Sequence, residues 1–70
     1  MEREAFYVVV TADRYELPVA TFDTINAVAS WAGRTKREIY YAIAEQRIVV
    51  VTLGGLVKRY RVQKMYDRED

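Results

Sequence analysis

Residues 22–47 read FDTINAVASWAGRTKREIYYAIAEQR, and the fold turns on how this stretch is divided. Ile25, Val28, Ala29 and Ala32 fall at i, i+3, i+4 and i+7, one apolar stripe of a 3.6-residue period. Asp23 or Thr24 supplies an N-cap oxygen for this first helix. Gly33 follows the last periodic residue, where a left-handed residue commonly ends a helix. Thr35 and Glu38 then form the pattern T-x-x-E, a capping box that opens a second helix. Ile39, Ala42 and Ile43 mark its buried stripe. Only Gly33 and Arg34 separate the first helix from the second cap, so the two helices must cross sharply.

Strands flank this pair. Phe6 to Thr11 is β-branched and aromatic and reads as a strand, its apolar run predicting a central position covered on both faces, or nearly so. Ala12 to Glu16 reads as a turn, and Leu17 to Phe22 as a return strand. Pro18 lacks an amide donor, which puts that strand at an edge or starts it there. After the helices, Ile48 to Leu53 and Leu56 to Lys64 read as a hairpin closed by Gly54-Gly55, a pair suited to a type I′ or II′ turn. In the last strand Tyr60 and Val62 point one way and Arg59, Arg61 and Gln63 the other, giving a basic outer face. Tyr66 to Asp70 reads as a frayed end. The expected fold class is α+β: one domain over residues 1–70, two helices on an antiparallel sheet of about four strands, with a hairpin at each end.

Length and composition bound the function. Seventy residues allow one domain with a small core. The absence of cysteine favours a reducing setting, so the expected location is the cytoplasm. The charged N-terminus reads as neither a signal peptide nor a membrane span. Without histidine or cysteine there is no zinc site, and the acids are scattered, so no metal or other cofactor is expected. There is no histidine base, and the one serine, Ser30, lies inside a predicted helix without a base beside it. Gly54-Gly55 lacks the lysine and helix of a phosphate-binding loop. Asp13 and Glu16 share a turn, where carboxylates are usually solvated. The expectation is therefore no enzyme and no small-molecule substrate.

The net charge of +1 conceals a basic middle. Residues 1–32 carry two cations against five anions, residues 33–64 eight cations against two anions, and residues 65–70 one cation against three anions. A balance of +6 in the middle segment suggests one positive face, the electrostatic footprint expected for a nucleic-acid partner, the alternative being ordinary surface charge that happens to cluster.

Ala29, Gly33, Ile39 and Ala42 stand at relative positions 1, 5, 11 and 14. This spacing resembles the helix-turn-helix DNA-binding motif of repressors and excisionases. Phe22 to Ile25, followed by Ala29, Ala32-Gly33, Thr35 and Ile39, is similar to the short modules of phages, mobile elements and some homing endonucleases. It is also similar to small proteins of Gram-positive bacteria. Arg34, where repressors often carry an apolar residue, sets this chain apart from the repressor branch. The resemblance implies double-stranded DNA as partner, a regulatory role in a phage or mobile element, and the second helix as the one that enters the major groove. On that helix Arg37, Tyr41 and Ala44 lie opposite the buried stripe, with Tyr40 on the flank. Arg37 suits guanine, Ala44 a close approach or a thymine methyl, and Tyr40 and Tyr41 the phosphates and sugars. Arg34, Thr35, Lys36 and Arg47 stand at the helix ends, where phosphates would lie. Lys58, Arg59 and Arg61 make the second hairpin a candidate wing. A single small module gains from a homodimer or a protein partner. The competing readings are a protein-interaction module of the same shape that does not bind DNA, and RNA binding through Phe6 and Tyr7.

Overall fold

A computed structural model describes residues 4–66. The elements run β1 (Ala5–Thr11), β2 (Pro18–Phe22), α1 (Ile25–Ala32), α2 (Lys36–Glu45), β3 (Val49–Leu53) and β4 (Leu56–Tyr66). The four strands form one antiparallel sheet in the order β2-β1-β4-β3. The two helices pack on one of its faces, so the architecture is the expected α+β domain.

The helix pair forms for the reasons its sequence contains. Thr24 caps α1, its hydroxyl accepting from the Ala27 amide at 3.1 Å. Gly33 ends α1 in the left-handed region, φ 66°, ψ 33°, and the Arg34 amide donates to the Ala29 carbonyl at 3.0 Å. Two residues later Thr35 caps α2. Its hydroxyl accepts from the Glu38 amide at 3.1 Å, while the Glu38 carboxylate accepts from the Thr35 amide at 3.3 Å. The capping box thus satisfies two amides that the first turn of a helix leaves unpaired. At the other end α2 stops without a glycine: Gln46 takes the left-handed conformation, φ 53°.

The core lies between the helices and the inner face of the sheet. Val28 and Ile39 are fully buried and meet Val9, Val51, Tyr60 and Val62 from the strands. Trp31 lies at the border of this cluster, its ring tilted against Phe22 at 5.7 Å and Tyr60 at 5.4 Å. Strand alternation decides which side chains reach it. Register pairs Val9 with Val62 and Val49 with Tyr60, and all four face the helices.

β1 is central, and the expected cover is full on one face and partial on the other. The helices occupy one face only, and Phe6 and Val8, of opposite parity to Tyr7 and Val9, remain half-buried. Val10 alone is buried on that side, next to a bulge that leaves Val19 unmatched on β2. Beside it Glu16 reaches across the sheet to accept from Gln63 at 3.1 Å and to lie 3.9 Å from Arg61. Among the described residues the two helices both lie on the other face, so this side has no second layer.

β2 is an edge strand that begins at Pro18, which suits the missing amide. The turn before it is organised by Asp13, whose carboxylate accepts from the Thr11 hydroxyl at 2.8 Å and from the amides of Tyr15 and Glu16. The Thr11 hydroxyl is the main cause that holds this carboxyl below its ordinary value. Slight desolvation opposes it and the two amides add to it. Gly54 and Gly55 both take positive φ, 58° and 80°, as a type I′ turn requires. β4 runs to Tyr66, past the expected end at Lys64, because Ala5 and Phe6 of β1 pair with Tyr66 and Met65. The rest of the expected frayed end lies outside the described residues.

Candidate functional site

The exposed side of α2 is set by what the other side buries. Ile39 and Ala42 enter the core and Ile43 packs at its border, which turns Arg37, Tyr41 and Ala44 outward. Lys36 and Tyr40 follow one row over. Tyr40 and Tyr41 keep 51% and 49% of their surface exposed, and Tyr41 also borders the edge of β3. These five side chains enclose a shallow, open depression of about 420 Å³. The Arg37 guanidinium lies 5.7 Å from the Tyr41 ring centre, a cation–π arrangement that extends it along the helix face.

The acids of α2 are drawn away from this face. Glu38 is held by the cap, accepts from the Thr35 hydroxyl at 3.1 Å, and pairs with Arg34 at 3.5 Å. Glu45 pairs with Arg47 at 2.8 Å. Among the described residues Lys36 and Arg37 make no ion pair.

The remaining residues singled out from sequence divide into four groups. Arg34 and Thr35 are already engaged within the fold: Arg34 donates to the Val50 carbonyl at 2.9 Å, tying the inter-helix turn to β3, and Thr35 is the cap. Arg47 stands exposed just beyond the C-terminal end of α2. Arg59 and Arg61 extend from the sheet face turned away from the helices, because Tyr60 and Val62 between and beside them are in the core. Lys58 has the parity of Tyr60 but stays exposed near the Gly54-Gly55 tip. The structure therefore brings Lys36, Arg37, Tyr40, Tyr41 and Ala44 together and leaves Arg59 and Arg61 on a different side.

A second feature depends on how α2 meets β3. Arg34, Glu38, Tyr41, Arg47, Ile48 and Val50 are among the residues lining a groove of about 260 Å³ between α2 and the open edge of β3. Its signal was Ile48 and Val50, apolar residues that strand parity turns out of the core.

Among the described residues no three carboxylates gather as a metal site, and no helix is long and apolar enough to cross a membrane. No protein-family model, curated protein or solved structure matches the chain.

Proposed function

We propose that the protein binds double-stranded DNA sequence-specifically, with α2 lying in the major groove. The observation that carries this reading is the exposed face of α2. It joins two cations that make no ion pair among the described residues to two half-exposed tyrosines and a small residue, while both acids of the helix are held elsewhere. A ten-residue helix is about 15 Å long, and the major groove of B-form DNA is about 12 Å wide.

On this reading Arg37 pairs with the N7 and O6 atoms of guanine, the commonest specific base contact. Lys36 and Arg47 meet phosphates, and Tyr40 and Tyr41 meet phosphate or sugar. Arg34 and Thr35 act on DNA indirectly, by holding the start of α2. A homodimer or partner protein supplies the second half-site that a single small module lacks. A regulatory role in a phage or mobile element follows from the sequence resemblance and is part of the proposal.

The competing reading is an interaction module that holds a protein in the groove beside β3, where Ile48 and Val50 are exposed. Titration of duplex libraries at two salt concentrations separates the two. DNA binding through several cation–phosphate contacts weakens steeply as salt rises. Arg37→Ala should weaken binding to a selected duplex by about 1–3 kcal/mol and relax preference at one base pair. Lys36→Ala should weaken binding to all duplexes alike and lower the salt slope by about one unit. Both variants should keep the wild-type circular dichroism, since neither residue enters the core. Absence of salt-dependent duplex binding by the wild-type chain overturns the proposal in favour of the interaction module.

A further inference from the structure

Resting on the DNA-binding reading, we infer that the depression on α2 takes the 5-methyl group of a pyrimidine, so that the site selects thymine or 5-methylcytosine in the major groove. Helix neighbours three and four residues apart share a surface. Tyr40 and Tyr41 therefore stand one turn before Ala44 and form walls above its methyl floor, with Lys36 and Arg37 on the rim. The exposed face of a helix is ordinarily polar. Here its centre is apolar and its rim cationic.

Each half of that pattern restricts the occupant. The cationic rim, with Glu38 and Glu45 paired to Arg34 and Arg47, favours an anionic partner. The apolar floor must then meet an apolar group presented by that partner. In the major groove the base edges offer hydrogen-bond donors and acceptors, and the C5-methyl of thymine is the apolar feature among them. The same methyl occurs on 5-methylcytosine. The depression is wider than one methyl group and admits the base edge that carries it. Arg37, one turn before Tyr41, is placed to contact a base pair neighbouring that methyl.

The test uses the full chain and two randomised duplex libraries of one design, one containing thymidine and the other deoxyuridine throughout. Sequences enriched from the thymidine library are then remade with uracil at single positions. We expect about three- to fivefold weaker binding at one or two positions, the value of one buried methyl group. At those positions a 5-methylcytosine–guanine pair should bind more tightly than cytosine–guanine by a similar factor. Comparison of thymine with 5-methylcytosine there identifies which source of the methyl is preferred. Ala44→Leu fills the depression from an exposed position and should remove the thymine–uracil difference. Equal affinity for thymine and uracil duplexes at every position overturns the inference while leaving DNA binding intact. Failure to bind either library overturns both.

Discussion

Gly33 and Asp13 each hold a conformation that a neighbouring residue type would not. At Gly33 an added Cβ meets nothing within 4 Å, so the cost of substitution lies in the backbone and not in a clash. Gly33→Val should destabilise by at least about 1–2 kcal/mol, the penalty for a side chain in the left-handed region. Gly33→Asn should cost less, because asparagine tolerates that region. Denaturant midpoints of the two variants check the order. Asp13 predicts an acid sensitivity. Its folded-state pKa is lowered, so its contribution is fully present above the ordinary value of 3.8 and is lost as pH falls through the lower folded value. Asp13→Asn, which keeps the shape and removes the titration, should show a shallower loss of thermal midpoint below about pH 4. Identical acid limbs in wild type and variant would show that the turn does not couple to folding.

Capping decides where each helix begins, and packing decides which face is left for a partner. Thr35→Ala removes the acceptor for the Glu38 amide and should cost about 0.5–2 kcal/mol of stability. It also frees Glu38 from its Thr35 hydroxyl bond. A carboxylate swinging toward Arg37 would weaken the cationic face as well as the helix. An unchanged denaturant midpoint would show that the cap contributes nothing measurable. The Arg34 bond to the Val50 carbonyl adds a restraint between the turn and β3, so the orientation of α2 depends on an edge strand distant in sequence. That bond also occupies one carbonyl on an edge otherwise open to strand pairing.

The whole molecule separates its basic residues onto different sides. α2 turns Lys36 and Arg37 away from the sheet, whereas Arg59 and Arg61 leave the sheet on the face opposite the helices. Arg61 is further engaged by Glu16 at 3.9 Å. A duplex lying along α2 should therefore be insensitive to Arg59. Arg59→Ala is expected to change duplex affinity by less than about twofold, against the roughly tenfold effect that 1.4 kcal/mol at Arg37 would represent. Titration of the selected duplex at fixed salt measures it. A loss comparable to that of Arg37→Ala would bring the outer sheet face into the interface and require a second duplex contact or a dimer.

The helix pair, the Thr35–Glu38 capping box, the left-handed Gly33, the Gly54-Gly55 turn and the alternation of β4 were determined by the sequence alone, whereas the choice of Thr24 over Asp23 as the first cap was not. Each depends on residues within a few positions of one another, where periodicity and capping chemistry act locally. The outward placement of Arg37, Tyr41 and Ala44 was equally legible, since burial of Ile39 and Ala42 fixes the opposite side of a single helix. Tertiary structure alone decided how the elements face one another. The apolar run of β1 described a strand in a core, but only the position of two helices on one side left Phe6 and Val8 half-covered. The charge balance of residues 33–64 implied one basic face, yet strand pairing split it, because sheet parity turns Arg59 and Arg61 from the helices that Tyr60 and Val62 support. Arg34 read as a group for phosphate until folding engaged it with the carbonyl of Val50, sixteen residues away. Charge counted along a chain is one-dimensional, and the direction each side chain takes is fixed by the partner that buries its neighbour.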